Sequence, residues 1–360
     1  MSGLGPLVSL VDGSELDNIT ELPDVTRRVQ FRQRLTDERF RHLASLLEGR
    51  PEISLRAYLG DDITDLEFLR FFPGLGSFQV DAIWRGLSSL DGLRHVSATL
   101  DSLAIGRTKR PLSLAVLRQL TVLRSLYVEG QHRDLGVLAD LHSLENVTLR
   151  SITLPDLAQL TGLERLRSVA LKLGGTTGID LLPRIPNLEE IDIWRVRGLS
   201  NVEPLGSVEG LRVLALQALP QVRNLPDLSR LDRLTTVSLH TMKGITDLSP
   251  LAAAPRLEKL VLIAMPHLSP EALRPLVGHP TLRRGLWNIG SMRKTYEAHD
   301  ILPVAPEPYG YADWRAGLPY RAILKDWMMA VRYGTREAGG RMVLDPGRPM
   351  RDPESNEDAG

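Results

Sequence analysis

Few residues in this chain of 360 combine a reactive type with a spacing that chemistry would use. His240 has an imidazole that could act as a base or titrate near neutrality, and Ser238 lies two positions away. No carboxylate or second nucleophile stands in a paired position beside them, so His240 reads as a lone surface histidine. The eight histidines are scattered, and a proline-containing arc separates His267 from His279, which argues against a metal site. Gly174-Gly175-Thr176-Thr177-Gly178 follows an apolar run, as a phosphate loop would, but lacks the Lys and the helix start that phosphate binding wants. It reads as a flexible turn. The basic run from Arg107 to Arg110 reads as a solvated turn. No Gly-x-Ser-x-Gly elbow and no paired catalytic carboxylates stand out. The chain has no cysteine, which removes thiol nucleophiles, thioester-forming ligation and cysteine-based zinc sites. The sequence therefore predicts no catalytic residue, no metal and no cofactor, and leaves recognition as the chemistry to be explained.

The elements that would position recognition residues are set by a period. A short phrase returns as Leu211, Leu214, Leu216, then Leu234, Val237, Leu239, then Leu257, Leu260, Leu262. The first inward residue of each phrase falls at Val29, Ile53, Phe78, Leu103, Leu126, Val147, Val169, Ile191, Leu214, Val237, Leu260 and, with glycine in the slot, Gly285. Val96 competes with Leu103 as a strand start, and Leu103 restores the period on both sides. A fixed repeat of this length signifies a solenoid. Apolar residues at every third position between the phrases, such as Leu199, Val202, Leu205 and Val208, suit short 3₁₀ turns better than full helices. The predicted fold is an α/β solenoid, an arc with about twelve parallel strands on its concave face and short 3₁₀ or irregular arcs on its convex face.

With the phrase Ile245-Thr246-Asp247-Leu248-Ser249-Pro250-Leu251 leading to Leu257-Glu258-Lys259-Leu260-Val261-Leu262, the chain resembles the leucine-rich repeat superfamily, in particular the short bacterial internalin-like type. The resemblance covers roughly residues 23–291. Relatives carry an Asn five positions after the first apolar residue, whose side chain bonds backbone along the turn. Here that row holds Gln131, Ile152, Gly174, Val196, Leu219, Met242 and Met265. A mostly apolar row predicts turns held by packing and less regular than those of the relatives. Internalins are surface proteins with signal peptides; no such leader is evident here, so their receptor role does not carry over.

Neighbouring strand residues point to opposite faces, so the residues between the buried ones stand on the exposed sheet. Through the middle of the chain this places Tyr127, Glu129, Arg150, Lys172, Asp192, Trp194, Gln217 and His240 on one concave surface, the candidate partner-binding site. At ~4.8 Å per strand that face is about 50 Å long, which suits a protein or peptide better than a metabolite. Trp194 is the candidate anchor, and its alternative is packing across Lys172 or Gln217. Arg150 and Lys172 with Glu129 and Asp192 form either a pattern that reads a partner or a cross-strand ion network. Val261, Ile263 and Leu286 make the C-terminal end of this face apolar, a surface predicted to be covered by the chain's own tail.

Composition frames the partner. Lys plus Arg equals Asp plus Glu at 44 each, so no net field favours nucleic acid or an anionic membrane. No run of about 18 apolar residues predicts a membrane span. Absence of cysteine suits a reducing, cytoplasmic setting, and the chain is expected to be a monomer until it meets its partner. The domain plan is a loosely ordered lead-in at 1–22 and a solenoid at 23–291, its first repeat carrying a capping helix at 36–48. A C-terminal extension follows at 292–334, in which an extended connection bearing Pro303, Pro306 and Pro308 leads to a capping helix at 319–333, and a disordered tail lies at 335–360. Two other functions stay open: a regulatory subunit acting on a partner enzyme through a surface Arg such as Arg150, and an enzyme with a site where the solenoid meets residues 292–333.

Overall fold

The computed structural model describes residues 7–11, 13–306, 335–336 and 342–343. Its strands are β1 (Leu7–Leu10), β2 (Arg28–Phe31), β3 (Ser54–Tyr58), β4 (Ser77–Ala82), β5 (Ser102–Ile105), β6 (Ser125–Glu129) and β7 (Asn146–Arg150). Then come β8 (Ser168–Lys172), β9 (Glu190–Trp194), β10 (Val213–Gln217), β11 (Thr236–His240), β12 (Lys259–Ile263), β13 (Arg284–Trp287) and β14 (Ala305–Pro306). They form one 14-stranded sheet in sequence order, each strand parallel to the next. Every connection is a single coil of the solenoid. Most coils return through a 3₁₀ turn, such as Asp91–Val96 or Glu203–Ser207, because apolar residues spaced by three line up on one side of such a turn. Leucines from strands and turns meet in one continuous core.

The register follows the predicted phrase with one correction. Val29 lies opposite Leu55, not Ile53, and Leu55 lies opposite Phe78. Ile53-Ser54-Leu55-Arg56-Ala57 alternates strictly, and all three of its apolar residues are buried, so the phrase can be read two residues early without moving any side chain to the other face. Leu103 sits in register between Phe78 and Leu126, while Val96 closes the preceding 3₁₀ turn.

The sheet has two more strands than the period predicts, one at each end. β1 pairs residue for residue with β2, placing Val8 opposite Val29, a step of 21 residues that continues the repeat into the segment read as a lead-in. That segment is tied down: Leu10, Leu16 and Leu22 are buried, Asp17 forms a two-point ion pair with Arg39 (2.7 and 3.1 Å), and the Ile19 carbonyl meets His42 Nε2 at 2.8 Å. Helix α1 (Asp37–Leu47) starts at Thr36, whose hydroxyl accepts the Arg39 N–H at 3.3 Å. All six phenylalanines of the chain gather in this end of the core, where Phe40 of α1 stacks on Phe68 at 4.9 Å and Phe31 meets both edge-on.

At the other end, residues 292–301, read from sequence as an extended connection, form helix α3 (Met292–Ile301) with Ser291 as its cap. The prolines that suggested extension, Pro303 and Pro306, follow the helix end. A short helical turn, α2 (Ser249–Ala252), precedes β12. Trp287 is fully buried and stacks on His299 of α3 at 5.3 Å. Its ring occupies the space where a side chain at 285 would stand, since a Cβ on Gly285 would lie 2.3 Å from it. This explains the glycine in the twelfth slot. The helix expected at 319–333 lies outside the described residues. Within the tail expected to be disordered, Thr335–Arg336 pairs antiparallel with Met342–Val343, and the rest lies outside the described residues.

The turns after the strands are regular, contrary to expectation. Leu59, Ser151, Leu173, Arg195, Ala218, Thr241 and Ala264 all adopt left-handed conformations, with φ between 50° and 60°. Most stand four residues beyond the first inward residue of their strand, where Gly130 serves β6. Their N–H groups carry the ladder one step further: Ser151 to the Lys172 carbonyl (2.7 Å), Arg195 to that of Gln217 (2.9 Å), Ala218 to that of His240 (2.8 Å). The row expected to be apolar is buried at Ile152, Val196, Leu219, Met242 and Met265, and the Met242 N–H donates to the Met265 sulfur at 3.1 Å.

Candidate functional site

The eight candidate residues come from six successive strands, β6 to β11, in unbroken register. Glu129, Arg150, Lys172, Trp194, Gln217 and His240 form one row across the sheet. Tyr127 and Asp192 stand in the row one pleat away, Tyr127 beside Thr148 and Asp192 between Ala170 and Ala215. Small residues in that second row leave the larger ones room to lie over the sheet.

Most of these side chains are brought together as a network. The Tyr127 hydroxyl donates to Glu129 Oε2 at 2.9 Å, and Glu129 pairs with Arg150 Nε at 3.3 Å. The Arg150 guanidinium extends over the Trp194 ring, 5.6 Å from its centroid, passing the strand between them. Lys172 pairs with Asp192 at 2.8 Å. Trp194 is therefore half-buried rather than an open anchor, and the cation on it is Arg150, not the adjacent Lys172. Gln217 lies between Trp194 and His240 in the row. The ion pairs retain some access to water: 29% for the Arg150 side chain, 28% and 38% for Lys172 and Asp192.

Burial sets the proton chemistry here. The Tyr127 hydroxyl is pushed up to about 12, first by burial and then by the Glu129 charge, against a smaller opposing effect of Arg150. His240, read from sequence as a lone surface residue, is largely enclosed and lies 2.8 Å from the Ser238 hydroxyl. Burial lowers it to about 4 despite the pull of Asp192, so at neutral pH it is an uncharged hydrogen-bonding group and a weak base.

The other sequence candidates turn out to be structural. Gln131 is fully buried in the row where relatives carry Asn: its Oε1 accepts the Leu112 N–H (2.6 Å), and its Nε2 donates to the Gly106 carbonyl and the Thr108 hydroxyl (both 2.9 Å). It braces from inside the basic run Arg107–Arg110. The turn at Gly174–Gly178 is held, not flexible. Gly175 N–H donates to Thr153 Oγ1, Thr176 Oγ1 accepts from Leu154 N–H, and a Cβ on Gly174 would strike the Ile152 carbonyl at 2.0 Å. Among the described residues no group of three or more His, Asp or Glu side chains is arranged to hold a metal ion, and no helix is long and apolar enough to cross a membrane.

A single open parallel sheet returning through 3₁₀ turns, with a side-chain network on its free face, defines a leucine-rich repeat solenoid. The structure is similar to an internalin (inlF) from Listeria monocytogenes, with 17% identity, 77% of this chain and 89% of that chain covered, and a TM-score of 0.50. It is also similar to the TLR13 chain solved in complex with ssRNA13, at 15% identity, with 77% of this chain and 50% of that one covered and a TM-score of 0.54. A leucine-rich repeat protein from Leptospira interrogans matches 81% of this chain and 94% of its own at 15% identity, with a TM-score of 0.43. No family model and no curated protein matches the sequence. At such identities the likeness speaks to the fold.

Proposed function

We propose that this chain is a non-enzymatic, cytoplasmic protein-interaction module that binds a protein or peptide on the concave sheet between Tyr127 and His240. The observation that carries this reading is the Tyr127–Glu129–Arg150–Trp194 network. It gathers aromatic and arginine side chains, the types that dominate binding energies, at the middle of a broad face and holds them in one arrangement before a partner arrives. His240, lowered by burial, is too weak a base to activate the Ser238 hydroxyl beside it, which favours binding over catalysis. Arg150 is spoken for by Glu129 and Trp194, which favours a recognition role over service as a free arginine acting in a partner enzyme.

The test is affinity capture from source-cell lysate, with wild type beside a Trp194→Ala, Arg150→Glu double variant. Proteins retained by wild type and lost by the variant support the reading; equal retention of the same proteins by both rejects it.

A further inference from the structure

The concave face is not uniform in how its charges are satisfied. In the centre each cation has a carboxylate, whereas at the N-terminal end Arg28 of β2, Arg32 just past its end and Arg56 of β3 stand close together, with Asp81 of β4 paired to Arg56 (2.7 and 3.0 Å). Arg28 and Arg32 have no ion-pair partner among the described residues, and it is this, not the enclosed Nε that Arg28 shares with Arg150, that sets them apart from the centre. The crowding is felt: burial first, then the Arg56 charge, hold the Arg28 guanidinium below its ordinary range, against the opposing effect of Asp81. Arg32 and Arg56 both lie over the Tyr58 ring, at 5.9 and 4.5 Å from its centroid, which fixes two of the three guanidiniums in place.

Beside these cations two large apolar side chains stand open, with the exposed carboxylates of Asp61 and Asp62 just beyond the first of them. Leu59 is 57% exposed and Trp84 is 49% exposed. The Leu59 N–H bonds the Ala82 carbonyl (3.3 Å), two residues before Trp84, and Lys109 N–H bonds the Trp84 carbonyl (2.7 Å), so the basic run Arg107–Arg110 borders the same edge. Arg85 lies over the Trp84 ring at 5.9 Å. Exposed Trp, Leu and arginines in one patch have the composition of an interface core and its rim.

We propose that this N-terminal end of the concave sheet, Arg28, Arg32 and Arg56 with Leu59 and Trp84 at its edge, is the docking surface for an acidic segment of a protein partner. The proposal rests on the reading of the sheet as a binding face and gives the partner a chemistry. A carboxylate is the anion this surface already accommodates, since Asp81 meets Arg56 through two parallel bonds. Aliphatic Leu59 favours an apolar side chain beside the carboxylates over a stacked base, and a chain with equal numbers of cations and anions lacks the long-range field that draws a nucleic acid strand.

The experiment is fluorescence anisotropy on the purified full chain with three labelled probes: a short peptide alternating Glu and Leu, its Gln/Leu analogue, and single-stranded U-rich RNA. The Glu/Leu peptide should bind, more weakly as salt is raised, and at least about tenfold more tightly than the Gln/Leu analogue. Arg32→Glu and Trp84→Ala, both at exposed positions, and Arg28→Gln should each weaken it, while Arg118→Gln on the far side of the solenoid should not; thermal unfolding of each variant controls for folding. Absent binding, equal binding of the Gln/Leu analogue, indifference to Arg32→Glu in a folded variant, or tighter binding of the RNA would overturn the proposal. The assay needs no native partner, so its failure is distinguishable from failure of the lysate capture, which tests Trp194 and Arg150 on the central face.

Discussion

Gln131 does with one side chain what a polar column does in the resembling repeats, satisfying two backbone groups and a hydroxyl inside a turn that water does not reach. Replacing it by Leu should cost about 2–3 kcal/mol, because the Leu112 N–H and Gly106 carbonyl would be left buried and unpaired. Urea unfolding checks this, and a loss under about 0.5 kcal/mol would mean the turn finds other partners. The histidines make a second prediction. Burial lowers His240 to about 4 and His299 to about 3, whereas in the unfolded chain both titrate near 6.5. Folded values below the unfolded ones mean that the unfolded state takes up protons first as pH falls. Their contribution is thus a stability present above about pH 6.5 and lost progressively as pH falls, toward about 4 for His240 and about 3 for His299. Urea midpoints of His240→Gln and His299→Phe should vary less over that window than those of wild type; unchanged pH profiles would contradict the burial. Neither enclosure was legible in sequence, where His240 alternates with buried residues and reads as exposed. What hides it is how neighbouring side chains lie over the sheet, and a single sequence does not encode that in its spacing. The same holds for Trp194, covered by an arginine from two strands away.

Elements were legible wherever the period was long and clean. From Leu103 to Leu260 the predicted inward residues all sit in register, because a slip of one residue would turn each strand's leucines to water. The ends were less legible for local reasons. β1 has four residues and one clear alternation, and α3 stands among prolines that follow it rather than break it. The left-handed turn residues were invisible too, since Leu, Arg and Ala carry no signature of positive φ. They make an element-scale prediction: such a residue costs about 1 kcal/mol against glycine, so Arg195→Gly should leave the chain equally stable or more stable by up to about 1 kcal/mol, and Arg195→Val should destabilise it by about 1 kcal/mol. Denaturant midpoints showing the reverse order would mean the turn is set by the side chain, not by φ. At the last coil, Gly285→Ala should cost about 1–3 kcal/mol by driving a methyl into Trp287, with near-ultraviolet circular dichroism reporting the disturbed tryptophan; a neutral effect would mean α3 yields readily.

At the scale of the molecule, one sheet face is left free by a fold that commits its turns and apolar residues to the core. Along that face the ion-paired centre, Tyr127 to His240, and the cation-rich N-terminal end, Arg28 to Arg56, are chemically different surfaces on one ladder. The sequence pattern was enough to say which residues share the face. Their pairing, and the difference between the two regions, needed the positions of long side chains. The central claim is that a partner lies on the concave sheet, and hydroxyl-radical footprinting of the chain with a captured partner tests it most directly. Oxidation of Tyr127 and Trp194 should fall when the partner is added while that of His142, exposed away from the sheet, is unchanged; protection of His142 with Tyr127 and Trp194 unaffected would contradict a partner on the concave sheet.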